Sequence, residues 1–181
     1  MEDVLVMLDE FSQIALNECD LSGNSILKIL KRYASTVSVF DMMAVSGEIM
    51  EENKYVQENY REESQKSYVK AFLCRVNEIV RDANDYPKLI DKTDFKKAIE
   101  TLKLNNINSS ESKSKFPLMG SMSSIYATFL LEEPIHEVGT LFPGSLRVEQ
   151  KNGKFYCPVR DANIDTPNAV CNICLAEQLD F

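Results

Sequence analysis

The chain changes character at Glu132, and this change constrains the fold more than any other feature. Before it, apolar residues recur every three or four positions, which is the spacing of amphipathic α-helices. After it, two prolines and two glycines interrupt an extended stretch between residues 134 and 144, where a helix would be broken. We therefore expect a mainly α protein, with a helical body over residues 1–131 and a small β-hairpin and loop module over residues 132–181 packed on it.

The helical body is expected to contain several amphipathic stretches. The patch from Ser35 to Val39 has low intrinsic helix propensity, so tertiary packing would have to hold it in a helix. Thr93 is a candidate cap for a short helix, and the polar segment of about residues 105–115 is interpreted as a mobile linker. The predicted helices cover residues 2–18, about 26–44, about 51–84, 93–102 and 117–131.

The last of these helices is expected to be a central, closely packed element. One of its sides is apolar, and the other carries only small residues from Gly120 to Ala127. Pro117 is well placed at its start because the first helical position needs no backbone N–H.

A β-hairpin is predicted in the C-terminal module. Leu146–Val148 and Phe155–Cys157 flank Lys151-Asn152-Gly153, and Asn-Gly supplies the positive φ angles of a tight hairpin turn. A loop from Pro158 to Thr166 is expected to lead into a final short helix.

Four soft metal ligands lie in this module: His136, Cys157, Cys171 and Cys174. Structural zinc sites are commonly tetrahedral sets of thiolates and imidazoles, and two thiolates in Cys-x-x-Cys spacing can reach one ion without strain. The four residues are therefore our candidate zinc ligands, closing the hairpin and loop module.

Other interpretations of these residues stay open. The cysteines could be buried apolar residues without a role, and His136 could bond a loop carbonyl, in which case Cys74 is the best substitute ligand. An iron–sulfur cluster is an alternative cofactor, although the compact ferredoxin spacings are absent. The signatures of zinc deaminases and of thioredoxin-like redox sites are not met.

Charge and hydropathy exclude several classes of partner. The 181 residues carry a formal charge of −8, and the basic residues are scattered rather than clustered, so nucleic acid and anionic membranes are not expected as partners. No apolar run reaches the roughly 20 residues of a membrane span, and the N-terminus is acidic where a secretory signal would be basic. We expect a cytoplasmic protein with reduced thiols.

Five strings in the C-terminal third carry a family resemblance: Leu131–His136, Val138–Thr140, Phe142–Gly144, Asn152–Val159 and Pro167–Cys174. With these strings the chain resembles an uncharacterised protein family of methanogenic archaea. The similarity is dense over about residues 115–178, and it is of general helical character before that.

The resemblance implies a ligand set but no activity. The family pattern contains a histidine matching His136 and cysteines matching Cys157, Cys171 and Cys174, which supports treating the four as one set. This chain has Glu137 where the pattern has a proline, so the local backbone is less constrained. The family carries no assigned activity, so no catalytic residue is transferred, and an anoxic cytosol would favour the iron–sulfur alternative somewhat.

The sequence thus predicts a metal-binding, zinc-stabilised helical protein that acts as a non-enzymatic accessory or interaction module. We expect a protein partner, or a second copy of the chain in a homo-oligomer. The alternative is a metal-dependent or iron–sulfur enzyme with Glu132, Glu133 or Glu137 as base.

Overall fold

A computed structural model describes residues 2–17, 19–52, 54, 58–108, 114–163 and 165–179. It confirms a mainly helical fold with small strands near the C-terminus. The helices are α1 (Glu2–Asn17), α2 (Gly23–Ala34), α3 (Val39–Glu52), α4 (Glu58–Arg81), α5 (Lys92–Asn108) and α6 (Phe116–Ile125), and a π-helical turn (Tyr126–Leu131) continues α6. No helix in these ranges is both long and apolar enough to cross a bilayer.

The described residues of the C-terminal segment form five short strands in two sheets. The strands are β1 (Leu141–Phe142), β2 (Leu146–Arg147), β3 (Glu149–Lys151), β4 (Lys154–Cys157) and β5 (Glu177–Gln178). Strands β1 and β2 form an antiparallel pair, and β4 is antiparallel to β3 but parallel to β5. The predicted Asn-Gly turn joins β3 to β4, with φ angles of 53° at Asn152 and 78° at Gly153.

Helix α6 is the central element that its composition predicts. Every residue from Leu118 to Ile125 is buried except Gly120, and α6 contacts α1, α2 and α4. Its small side chains permit this because they let neighbouring helices approach closely. The residue after the π-helical turn, Glu132, has a left-handed conformation (φ 55°) and directs the chain into the C-terminal segment.

The predicted single helix over residues 26–44 is wrong, because the chain breaks between α2 and α3. Ser35 and Thr36 direct their hydroxyls back to the carbonyls of Lys31 and Tyr33 at 2.7 Å. Ser38 and Asp41 then begin α3 with a reciprocal cap, in which each side chain accepts a hydrogen bond from the other's backbone N–H. Local side-chain bonds thus end one helix and begin the next.

The long helix predicted over residues 51–84 is divided between two elements. Helix α3 ends at Glu52 and α4 begins at Glu58, while residues 53 and 55–57 lie outside the described residues. The predicted surface pair is present in α4, where Lys66 donates to Glu62 at 2.5 Å.

Helix α5 is longer than predicted and has a different cap. Asp91, rather than Thr93, accepts the first free amides, from Thr93 (2.8 Å) and Asp94 (2.9 Å). The helix continues through Asn108 into the expected linker, because buried Asn106 bonds both the Leu102 carbonyl and the Ser121 hydroxyl of α6. Residues 109–113 of that linker lie outside the described residues.

Two predictions for the C-terminal segment are wrong in detail. The partner of β4 is β3, whereas Leu146 and Arg147 pair with β1. The final helix is one 3-10 turn, Val170–Ile173, followed by extended Cys174 and strand β5. Asn172 bonds back to the carbonyls of Thr166 and Pro167, which fixes a tight turn in place of a longer helix.

A buried carboxylate ties the end of α4 to the π-helical turn. Asp82 is 6% exposed and accepts hydrogen bonds from the Tyr126 hydroxyl (2.7 Å), the Tyr86 hydroxyl (2.8 Å) and the Asn84 amide (2.8 Å). Burial alone would raise the pKa of Asp82, but these donors lower it below its ordinary value. The network therefore stabilises the ionised carboxylate inside the body.

We expect Tyr126→Phe to lower the free energy of unfolding by about 1.5–3 kcal/mol, because it removes a hydrogen bond to a buried charged group. Tyr33→Phe is the matched control, since its hydroxyl reaches the partly exposed Glu10 only at 3.3 Å and should cost less than about 1 kcal/mol. Urea unfolding at neutral pH measures both, and equal losses would contradict a special role for Asp82.

Candidate functional site

Three of the four predicted ligands are brought together by the C-terminal segment. Cys157 ends β4, Cys171 lies in the 3-10 turn, and Cys174 follows that turn directly. Each thiol interacts electrostatically with the other two. Cys157 and Cys174 also share a small apolar cluster with Val148 and Ala176.

The backbone around the cluster directs N–H groups at the sulfur atoms. The Ile135 amide donates to the Cys174 Sγ at 3.4 Å, and the backbone of Val159 bonds the thiol of Cys157. Burial nevertheless raises the pKa of Cys157 and of Cys171 above the ordinary thiol value. These two thiols are therefore neutral at physiological pH, unless a cation replaces their protons.

Arg160 supplies a positive charge beside the thiols. Its charge acts to lower the pKa of both Cys157 and Cys171, and its Nη1 is buried without a hydrogen-bond partner in the described part of the chain. A guanidinium nitrogen in this state favours an anionic neighbour, and the thiolates of Cys157 and Cys171 would be such neighbours.

The thiols are close but are not arranged as a formed metal site. Among the described residues, no group of three or more His, Cys, Asp or Glu side chains has positions that could hold a metal ion. The donors do suit a soft ion chemically, since they are three cysteine thiols that interact electrostatically with one another. Metal binding would require the sulfur atoms to close on a common centre.

The ring of His136 packs between two aromatic rings. The centroid distances are 5.4 Å to Tyr68 and 5.3 Å to Phe142. Burial lowers the pKa of His136 to about 4, so the imidazole is neutral at pH 7. Its neighbour Ile135 contacts Cys174, but His136 is not among the groups that perturb Cys157 or Cys171 in the described chain. Its role as fourth ligand stays a prediction.

The substitute ligand and the candidate bases lie elsewhere. Cys74 is exposed on α4 and does not lie in the core. Glu132 pairs with Lys88, whereas Glu133 and Glu137 pair with Arg75 at 3.1 and 3.5 Å.

A cavity of about 220 Å³ lies between α4, α6 and the segment that carries His136. Arg75 lies in its wall, and this side chain is only 5% exposed although it is charged. Besides Glu133 and Glu137, Arg75 pairs with Glu78 at 2.9 Å. Aromatic and small side chains form most of the other walls, among them Tyr68, Phe72, Phe116, Gly120, Ser123 and Thr140.

Sequence reasoning did not find this cavity. The small residues of α6 indicate close packing by their composition, and that is correct for the helix as a whole. The cavity between these small residues and α4 also depends on residues far apart in sequence, such as Phe72 and Thr140. The one available signal was an arginine within the apolar face of α4, three residues after Phe72.

Stability should depend on pH through His136, which is the only histidine of the chain. Because its folded pKa of about 4 lies below the ordinary value of 6.5, the unfolded chain binds the proton first as pH falls. Stability is therefore lost as pH falls from about 6.5 toward 4, and His136 should account for about 2 kcal/mol between pH 7 and pH 5.

Urea unfolding of the native chain and of His136→Gln is measured at both pH values. The change in the free energy of unfolding between the two pH values is then compared for the two proteins, and its difference is the contribution of His136. Carboxylates titrate in both proteins and cancel. An imidazole NMR resonance that titrates near pH 6.5 in the folded protein would contradict the buried neutral ring.

Comparison with known proteins extends the resemblance along most of the chain. Residues 22–179 match the family DUF2115, described as an uncharacterized protein conserved in archaea. A UPF0305 protein of Methanothermobacter thermautotrophicus is 34% identical over 155 residues, which cover 84% of this chain and 94% of the relative. UPF0305 proteins of Methanopyrus kandleri (32% identical, 66% of this chain and 84% of the relative) and Methanococcus maripaludis (24%, 88% and 99%) are also similar.

No solved structure matches the chain. The family match confirms the resemblance that the C-terminal motifs indicate, and it adds most of the helical body, from Ser22 onward. This chain therefore belongs to the DUF2115 family of archaeal proteins.

Proposed function

We propose that this protein binds one zinc ion through Cys157, Cys171 and Cys174, and that it is a metal-stabilised, non-enzymatic accessory or interaction protein of the archaeal cytoplasm. The observation that carries the proposal is that three thiols from two separate segments interact electrostatically, two of them with Arg160, whose Nη1 is buried without a hydrogen-bond partner in the described chain.

Charge balance supports a metal over three free thiols. A buried guanidinium nitrogen without an acceptor is unfavourable by about 1–3 kcal/mol or more, and neutral thiols do not compensate its charge. Zinc bound to three thiolates has a formal charge of −1, which Arg160 balances. Zinc also displaces the thiol protons, so binding occurs despite the raised pKa of Cys157 and Cys171.

The position of the thiols supports a structural role. The apolar cluster around Cys157 and Cys174 has three buried members among the described residues, Val148, Cys157 and Ala176, too few for the segment to hold its own fold. A metal that joins β4 to the 3-10 turn would add the missing constraint. The turn itself is attached to the body, where Thr128 donates to the Ile173 carbonyl at 3.2 Å.

The fourth position is best supplied by His136, as the family pattern implies, or by a group from outside the chain. Ile135 already contacts Cys174, so His136 is one residue from the cluster. A protein partner or a second copy of the chain could supply the ligand instead, and zinc would then form part of an interface.

An enzyme is the second candidate, since three protein ligands and one open position are typical of catalytic zinc. The favouring observation is that Ile135 and Val170 line the cavity beside the thiols. Glu137 would be the base, although its ion pair with Arg75 opposes that role. A visible absorption band would instead indicate an iron–sulfur cluster.

Cys171→Ser and Cys174→Ser should each abolish zinc binding and destabilise the protein by several kcal/mol, because loss of a ligand removes binding energy from the folded state. Cys19→Ser and Cys74→Ser are the matched controls, since both thiols are exposed, and both should retain one zinc per chain. Metal analysis of anaerobically purified protein and thermal unfolding with and without chelator measure these effects.

A metal-free chain that is fully folded, with a melting temperature that chelators do not change, would refute the structural zinc. Cobalt substitution provides a second measurement, since thiolate-to-cobalt absorption should be present in the control variants and lost in the two ligand variants.

Arg160→Met should weaken zinc binding about tenfold, which corresponds to about one pKa unit of lost thiolate stabilisation. Arg147→Met is the control because Arg147 is exposed on β2. Competition against a chromophoric chelator measures both affinities. Equal affinities would show that Arg160 does not stabilise the metal–thiolate group.

A further inference from the structure

Three residues in the wall of the cavity between α4 and α6 each have a buried polar atom without a hydrogen-bond partner in the described chain. These atoms are the Nε of Arg75, the Oγ of Ser123 and the Oγ1 of Thr140. All three residues line the same cavity and are 3–4% exposed. Unsatisfied polar atoms are rare inside proteins, and three around one cavity indicate a molecule that completes their bonds.

All three groups can donate a hydrogen bond, so the group that would pair with them is an acceptor. An arginine Nε–H can only donate, and the two hydroxyls can both donate to an oxygen or nitrogen. Ser124 serves as a contrast, since it lines the same cavity but its hydroxyl already donates to the Gly120 carbonyl at 2.8 Å. The unmet donors thus belong to particular residues and not to every serine of α6.

The cavity has an aromatic end and a donor end. Phe72 stacks on Phe116 at 5.3 Å and lies parallel to Tyr68 at 6.3 Å. The Arg75 guanidinium lies 6.0 Å from the ring of Tyr126. Tyr126 is one helical turn after Ser123 in the chain. Helices α4 and α6 therefore place their aromatic residues at one end of the cavity, and Arg75 with Ser123 toward the other.

The donor end carries no excess positive charge. The terminal nitrogens of Arg75 are occupied by Glu78, Glu133 and Glu137, so one cation faces three carboxylates. An anion would add a fourth negative charge here, which is unfavourable at low dielectric. The Nε–H and the two hydroxyls can therefore serve an uncharged acceptor better than a carboxylate.

We infer that this cavity binds a small uncharged molecule with a flat apolar ring and a carbonyl-type acceptor at one end. The ring packs among Tyr68, Phe72 and Phe116, and the acceptor receives hydrogen bonds from Arg75, Ser123 and Thr140. The volume suits such a ligand: a dry cavity of about 150 Å³ holds benzene, and about 220 Å³ holds a ring with a short substituent.

Three probes of similar size test the inference on the full-length protein. Acetophenone has the ring and the carbonyl, ethylbenzene has the ring alone, and benzoate has a charged acceptor. By calorimetry or NMR titration, acetophenone should bind about tenfold or more tightly than either of the others, since one satisfied hydrogen bond corresponds to about that ratio.

Two variants assign the binding to this cavity. Ser123→Ala removes an unpaired hydroxyl and should weaken acetophenone binding about tenfold, while Ser124→Ala, the matched control, should leave it within about twofold because that hydroxyl bonds its own helix. Gly120→Leu should abolish binding, since Gly120 lines the cavity and a Cβ there has only Phe72, at 4.0 Å, as a neighbour outside its own helix.

Binding of the three probes to the native chain tests the inference even if a variant fails to fold. No acetophenone binding at millimolar concentration would overturn the inference and leave a cavity that holds only water. Equal binding of ethylbenzene would refute the role of the donors, and tighter binding of benzoate would refute the uncharged ligand. None of these measurements depends on the proposed zinc.

Discussion

The buried guanidinium of Arg75 is the interaction on which the functional part of this molecule depends. A charge this deeply buried must be paired, and breaking such pairs typically costs about 3–5 kcal/mol. Two of its partners, Glu133 and Glu137, come from the segment that leaves the π-helical turn. Arg75 therefore holds that segment against α4. This attachment places Thr140 in the cavity wall and Ile135 against Cys174.

The cavity and the thiol cluster are consequently neighbours that share structural elements. Ile135 lines the cavity and donates its amide to Cys174, and Val170 lines the cavity directly before Cys171. The proposed metal and the proposed ligand are recognised by different chemistry: soft thiolates in one case, and aromatic rings with neutral donors in the other.

Sequence reasoning succeeded where a pattern is local and strong. Three features depend only on residues that are neighbours in the chain. They are the apolar spacing of α1, the proline at the start of α6, and the Asn-Gly turn between β3 and β4. Sequence reasoning failed where side chains redirect the backbone or where distant partners decide. Ser35 and Thr36 end α2 by bonding its last carbonyls. Asn106 is polar and suggests a linker, yet it is buried in α5 because it bonds Ser121 on another helix.

The sequence by itself determined a mainly helical body, the change of character at Glu132, the family and the chemical identity of the three converging cysteines. Only the tertiary structure decided which groups meet. It placed His136 between Tyr68 and Phe142, moved Cys74 to the surface, and assembled a cavity from α4, α6 and the segment after Glu132. The physical reason is that periodicity and turn chemistry act over a few residues, whereas burial, charge pairing and unmet hydrogen bonds depend on contacts between residues far apart in the chain.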